Sequence, residues 1–217
     1  EDKATLIINP VTASDCGVYR CLLYSLCDTL STTGALLTVK SVPVVTLEPV
    51  AATICEGNQI QFEAGATGSD LIWHWTKDGT DLNDVNGYEG TTSSTLIINP
   101  TDDSHTGVYS ARINGFCEPK VFTQTALLTV IPTVAIVDQP DAMIVCENEL
   151  VSFTIGVLGN ASYQWQKDNV DIPGKISSTL TLTGTPSAAG VYRCRISTPG
   201  CGDIYYTDGA LLSIKPI

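Results

Sequence analysis

Polar and apolar residues alternate in short bursts along this chain. Gln59-Ile60-Gln61-Phe62-Glu63-Ala64 switches at every position, as a strand does when one face is buried and the other wet. Leu71-Ile72-Trp73-His74-Trp75-Thr76 does the same, placing Leu71, Trp73 and Trp75 on one face and His74 on the other. Lys77-Asp78-Gly79 then carries the residue types of a turn. Thr95-Leu96-Ile97-Ile98, the segment from Gly107 to Ile113 and the segment from Thr125 to Val130 predict further strands. Val42-Pro43-Val44-Val45-Thr46-Leu47 reads as an edge strand, with proline near its start. No stretch shows a sustained apolar stripe at helical spacing. Many short strands with turn signals between them predict an all-β, two-sheet sandwich.

The pattern then repeats. Trp75 and Trp165 are 90 residues apart, Cys55 and Cys146 are 91 apart, and Tyr109 and Tyr192 are 83 apart. A period near ninety is too long for a solenoid unit and fits tandem sandwich domains arranged end to end. The predicted domains span 42–130 and 132–216, with strands such as Leu150–Ile155, Ser162–Gln166 and Val191–Ile196 in the second of them. The junctions, Val39-Lys40-Ser41-Val42-Pro43 and Val130-Ile131-Pro132-Thr133, are short and proline-stiffened. They predict a semi-rigid rod.

Residues 1–40 hold only the closing part of this pattern. Strands are predicted at Ala4–Ile8, Gly17–Leu23 and Ala35–Val39, with no tryptophan and no cysteine before Cys16. Three strands leave half a sandwich core open. This stretch is therefore read as the C-terminal part of an incomplete domain. Its missing strands either precede residue 1 or come from another subunit.

Charge and cysteine content narrow the function classes. The 23 acids outweigh 11 bases, for a net charge of -12, and the acids are spread along the chain. No basic stripe is available to displace counterions, so nucleic acid is excluded as a partner. No run of 18 apolar residues occurs, and no membrane insertion is expected. The chain has eight cysteines, and those at matched positions in the repeats point to disulfides and an oxidising compartment.

Three sequence features are shared by the repeats. C-E-G-N-Q-I-Q-F from Cys55 to Phe62 matches C-E-N-E-L-V-S-F from Cys146 to Phe153. W-T-K-D-G from Trp75 matches W-Q-K-D-N from Trp165. Each repeat also has a G-V-Y corner followed by a cysteine eight or nine residues after the tyrosine. In these features the chain resembles the immunoglobulin-like repeats of large secreted and cell-surface proteins of Bacteroidetes-type bacteria. The resemblance covers essentially the whole chain. It implies that the early and late cysteines of one repeat pair, giving Cys55 with Cys117 and Cys146 with Cys201. Cys27 corresponds to Cys117 and then requires a partner outside the chain. Animal immunoglobulin domains commonly bridge the second and sixth strands, but Phe62 and Phe153 stand where the first of those cysteines belongs. Cys16, Cys21, Cys27 and Cys194 are thus expected to be unpaired or paired externally, with Cys194 a buried free thiol.

The remaining conspicuous side chains read as structure. Trp75 and Trp165 are core pins, Trp73 and Tyr163 share their face, and Phe62 and Phe153 point inward. Tyr19, Tyr109 and Tyr192 fit the tyrosine corner. His74 and His105 lack a nucleophile in their sequence context, and no catalytic or nucleotide-binding motif occurs. No enzyme activity, cofactor or metal is expected. The run Asp81 to Gly90 holds oxygen ligands but reads as turn chemistry. Recognition candidates are aromatic residues beside the loop cysteines: Tyr24, Phe116, Tyr205 and Tyr206.

The function expected from the resemblance is structural and adhesive. Such repeats form an extracellular stalk, filament or adhesin exported by the type IX route, in some species serving gliding. The partners implied are neighbouring repeats of a longer chain, a subunit completing residues 1–40, and surface glycans. Two other readings compete with it: an accessory spacer of a secreted hydrolase, and a glycan- or protein-recognition module.

Overall fold

Alternating segments become strands wherever a partner strand exists to receive them. The computed structural model describes residues 3–217, which contain strands, turns and three 3-10 turns, with no α-helix among the described residues. Two compact units share the chain. One comprises 1–51, 61–98 and 107–127; the other comprises 52–60, 99–106 and 128–217. The division thus runs through the middle repeat.

The first copy contributes four short strands: β1 (Gly17–Tyr19), β2 (Leu22–Tyr24), β3 (Thr29–Ser31) and β4 (Ala35–Leu37). β1 pairs antiparallel with β4, and β2 with β3. The strand expected at Ala4–Ile8 does not form. Its counterparts in the later copies are held by neighbouring strands, and residues 3–40 contain nothing equivalent to those neighbours. Without them the backbone groups have no ladder to join. Leu22, Leu23 and Leu36 accordingly remain exposed.

The middle repeat runs β5 (Val44–Leu47), β6 (Ala52–Cys55), β7 (Ile60–Glu63), β8 (Gly65–Thr67), β9 (Ile72–Lys77), β10 (Thr80–Asp81), β11 (Tyr88–Glu89), β12 (Thr95–Ile98), β13 (Gly107–Asn114), β14 (Val121–Phe122) and β15 (Ala126–Ile131). One sheet has the order β10-β9-β13-β15-β6, with β14 beside β13; the facing sheet has the order β11-β12-β7. β6 is parallel to β15, setting Cys55 opposite Ile131. The period-two pattern on β13 buries Tyr109, Ala111 and Ile113 in turn. Phe62 stacks on Tyr109 with ring centroids 5.1 Å apart, and Trp75 sits against the same Phe62 at 6.3 Å.

The third repeat comprises β16 (Ala135–Asp138), β17 (Met143–Cys146), β18 (Leu150–Thr154), β19 (Gly156–Leu158), β20 (Ser162–Lys167), β21 (Val170–Asp171), β22 (Thr179–Thr183), β23 (Gly190–Ser197), β24 (Ile204–Tyr206) and β25 (Ala210–Lys215). Its larger sheet has the order β17-β25-β23-β20-β21, with β24 beside β23. β18 and β22 pair across from it. Between the sheets lie Val151, Phe153, Trp165, Leu180, Tyr192, Cys194, Ile196 and Leu212, all buried. Phe153 again stacks on the corner tyrosine, here Tyr192, at 5.1 Å. Trp165 donates its indole N–H to the Ser177 carbonyl at 2.9 Å, as Trp75 does to Ser93. A ring that large is buried at little polar cost because its one donor is satisfied.

Candidate functional site

The most distinctive chemistry of the chain lies at a turn after β6 and a loop after β23. The Glu56 N–H donates to the Ile131 carbonyl at 2.9 Å, and the Gly57 N–H to the Thr101 carbonyl at 2.7 Å. The Cys55 carbonyl accepts from the Asn58 amide and from the Thr101 hydroxyl, each at 3.3 Å. This turn has little freedom, and it holds the Cys55 side chain at the end of its strand. The Glu56 carboxylate accepts from both the amide (2.8 Å) and the hydroxyl (3.0 Å) of Thr133, where the third repeat begins.

The loop presents Cys201 through Thr198-Pro199-Gly200-Cys201. Proline is second in this turn, and Gly200 is third with φ +88°, the arrangement of a type II turn. The Cys201 N–H closes it onto the Thr198 carbonyl at 3.2 Å. Cys55 and Cys201 are joined as a disulfide, with Cα atoms 5.7 Å apart and a sequence separation of 146.

This bond corrects the pairing implied by the resemblance. Cys55 is bonded to Cys201, and Cys117 and Cys146 carry free thiols. The third repeat supplies the physical reason. Cys146 lies opposite Lys215, the last residue of β25, while Cys201 precedes the start of that strand. A strand of six residues separates such positions by about 17 Å, and a disulfide tolerates roughly 7 Å between Cα atoms. The same order of residues holds in the middle repeat, where Cys55 is opposite the last residue of β15 and Cys117 precedes its start. The bridge therefore ties one repeat to the next.

Other cysteines serve the sandwiches. Cys194 is buried between the sheets, and burial pushes its thiol up to about 11. Its amide donates to the Thr207 hydroxyl at 2.9 Å; Ala111 does so to Thr123 at 2.9 Å and Cys21 to Thr32 at 3.0 Å. Cys16 takes over a hydroxyl's role. The Val39 amide lies 3.2 Å from its sulfur, just as the Val130 amide donates to Thr106 Oγ1 at 3.0 Å. Cys21 and Cys27 are free and exposed.

Tyr19 donates to the Asp15 carbonyl and Tyr192 to the Ala188 carbonyl, both at 2.7 Å, while the Tyr109 hydroxyl lies 3.0 Å from that of Tyr88. Tyr19 is only half-buried, because the sheet that would cover it is not among residues 3–40. Trp73 and Tyr163 are half-buried, unlike Trp75 and Trp165. His105 is buried and its Nδ1 accepts from the Asp102 N–H at 3.0 Å. Asp15 makes the equivalent contact with Thr12 in the first copy, at 2.7 Å. His105 thus stands in a turn-capping position. In the Asp81 to Gly90 run, Asp81 forks with Arg112 (3.0 and 2.8 Å), and Asp84 accepts from the hydroxyl (2.7 Å) and amide (2.9 Å) of Thr91. Those bonds hold the Asp84 carboxyl below the usual carboxylate range.

The recognition candidates do not form one cluster. Tyr24 is exposed at the end of β2. Phe116 is exposed, and Lys40 Nζ lies 5.4 Å from its ring centroid. Tyr206 carries the Arg193 guanidinium 4.3 Å over its ring, and both it and the adjacent Tyr205 are exposed. Sequence reasoning missed the contact between Cys55 and Cys201, which follows from the register of the parallel β6–β15 and β17–β25 pairs.

Comparison with known proteins settles the fold. The titin I-band fragment I67–I69 superposes with a TM-score of 0.64 at 20% identity, covering 81% of this chain and 66% of that one. The chain is a tandem array of immunoglobulin-like sandwiches. The Sidekick-1 immunoglobulin domains 1–4 superpose at a TM-score of 0.62 and 19% identity, over 94% of this chain and 60% of theirs. Among curated proteins, Peroxidasin homolog of Mus musculus is 29% identical over 202 residues, which is 87% of this chain. The chain spans only 13% of that protein's length. No protein-family model matches the chain.

Proposed function

We propose that this chain is a structural and adhesive repeat region of a longer extracellular protein, projecting as a stalk, filament or adhesin. The observation that carries the reading is the Cys55–Cys201 bond, which links consecutive repeats. A bond of this kind fits service as a covalently reinforced spacer in an oxidising compartment. The resemblance of the cysteine-glutamate turn, the tryptophan motif and the tyrosine corner to Bacteroidetes-type repeats supports a bacterial cell surface and type IX export, with gliding as one use. No helix among the described residues is long and apolar enough to cross a membrane.

The domains at 42–130 and 132–216 act as the beads, and the aromatic residues Tyr24, Phe116, Tyr205 and Tyr206 are the candidates for contact with surface glycans or a protein. A second reading, a spacer within a secreted multidomain enzyme, is favoured by the match to a small part of a much longer curated protein.

Protease treatment of intact producing cells tests the placement. Peptides of this chain should be released without lysis; their release only after lysis would overturn the extracellular reading. A glycan array probed with the whole oxidised chain tests the division of labour. Saturable binding lost in Tyr205→Ala and Tyr206→Ala variants would place glycan contact on this segment, whereas no saturable binding would leave it a spacer.

A further inference from the structure

The free thiols of Cys117 and Cys146 occupy the same two settings that hold the Cys55–Cys201 bond. β17 is parallel to β25 as β6 is to β15, with Cys146 opposite Lys215 and Cys55 opposite Ile131. After Cys146 the Glu147 N–H donates to the Lys215 carbonyl at 3.0 Å, matching Glu56 and Ile131 at 2.9 Å. Asn148 donates to the Gly184 carbonyl at 2.8 Å where Gly57 donates to that of Thr101 at 2.7 Å. The Glu149 N–H meets the Cys146 carbonyl at 3.3 Å, as the Asn58 N–H meets that of Cys55 at 3.3 Å. The three main-chain bonds of the turn that aims Cys55 are thus repeated around Cys146, whose thiol is exposed.

The loop setting is repeated too. Cys117 lies between the end of β13 at Asn114 and the start of β14 at Val121; Cys201 lies between Ser197 and Ile204. Six residues connect the strands in both cases. Six residues beyond each cysteine, a buried threonine, Thr123 or Thr207, caps the strand amide of Ala111 or Cys194 at 2.9 Å. These anchors fix where each loop leaves its sheet.

We propose that Cys55–Cys201 is one rung of a repeating series, and that Cys117 and Cys146 are sites for further rungs. Cys146 takes the loop cysteine of another immunoglobulin-like repeat of this pattern, and Cys117 takes the turn cysteine of another. The polarity is fixed: the turn cysteine comes from the N-terminal member of each bonded pair, the loop cysteine from the C-terminal member. Cys27, in the equivalent loop of the first copy with Thr32 as its anchor, is a third site of the loop kind. Each rung forms by exchange with a small-molecule or protein disulfide. The two cysteine thiols lose two electrons and two protons to become one S–S bond, and the disulfide reagent leaves as two thiols.

The test appends repeats to the intact chain. One extended protein carries a second copy of 132–217 behind Ile217, and another carries a second copy of 42–217, so that poor folding of one extension does not decide the matter. Both are reduced, refolded with oxidised glutathione and mapped by non-reducing peptide mass spectrometry. Cys146 is expected to be bonded to the loop cysteine of the repeat that follows it, alongside Cys55–Cys201. In the 132–217 extension, changing that appended cysteine to Ser should return Cys146 to a thiol, read as maleimide labelling of its peptide. If Cys146 remains a thiol or a glutathione adduct in both proteins while Cys55–Cys201 forms, the series does not exist. In the 132–217 extension, a bond from Cys146 to Cys117 or Cys27 would overturn it equally.

Discussion

The pentapeptide G-V-Y-R-C occurs twice in this chain, at Gly17–Cys21 and at Gly190–Cys194. Both copies make the same local bonds. Tyr19 and Tyr192 each donate to a carbonyl four residues back at 2.7 Å, and Thr32 and Thr207 each accept the cysteine amide. Their surroundings differ completely. Tyr192 is 3% exposed against Phe153, and Cys194 is fully buried, whereas Cys21 faces solvent. Local sequence therefore suffices for the corner, because the tyrosine hydroxyl and its acceptor lie four residues apart. The core comes from the facing sheet, which residues 3–40 lack.

The contrast can be broken hardest at Trp165. Trp165→Ala should cost about 3–5 kcal/mol in the third repeat, read as a lowered urea midpoint by far-UV circular dichroism. Leu22→Ala, on the open face of the first copy, should stay within about 0.5 kcal/mol. Equal effects would mean that the first copy has a core of its own.

Removing the bond between repeats comes next. For cysteines 146 residues apart the chain-entropy estimate is about 5 kcal/mol, and native disulfides commonly deliver about 2–4 kcal/mol. Cys55→Ser should lower the thermal midpoint of the oxidised protein and leave that of the fully reduced protein unchanged. A drop of equal size under reductant would assign the loss to packing.

The two cysteines of the repeated pentapeptide offer a chemical test. With its folded value raised by burial from 9.0 to about 11, Cys194 holds about 100-fold less thiolate at pH 8 than an unshifted thiol. Iodoacetamide should label Cys21 in the native protein and reach Cys194 only on unfolding. The sign of the linked stability follows: the unfolded chain loses this proton first as pH rises. Stability should be level below pH 9 and fall between pH 9 and about 11, and Cys194→Ala should flatten that fall.

The smallest effect belongs to the corner itself. Tyr192→Phe removes one hydrogen bond from a part-buried site and should cost about 1 kcal/mol. Tyr19→Phe removes the same bond in a more open setting and should cost less. Urea midpoints of the two variants give the comparison, and a larger loss at Tyr19 would contradict it.

Much of this fold was legible in the sequence. Gln59–Ala64 and Leu71–Thr76 alternate because one face must be dry, and Trp75, Phe62 and Tyr109 meet where that alternation points. The strand expected at Ala4–Ile8 was not legible from its own residues, since apolar alternation supplies a candidate strand but not the neighbour it pairs with. The disulfide failed for another reason. Repeat spacing reveals that Cys55 and Cys146 are equivalent, and Cys117 and Cys201 likewise, but not which end of a strand each one occupies. That information lies in the register of the parallel β6–β15 and β17–β25 pairs.

The Cys55–Cys201 bond also alters how the chain carries tension. A pull applied at the two ends travels to Cys55, crosses the sulfur bridge and leaves from Cys201, so the span between them, a sequence separation of 146, bears no load. Unfolding within that span adds nothing to the reach of the molecule while the bridge is intact. Reduction places about 500 Å of potential contour in the line of force. Single-molecule stretching should register that length only with reductant present, making the cysteine pair a redox-controlled limit on extension.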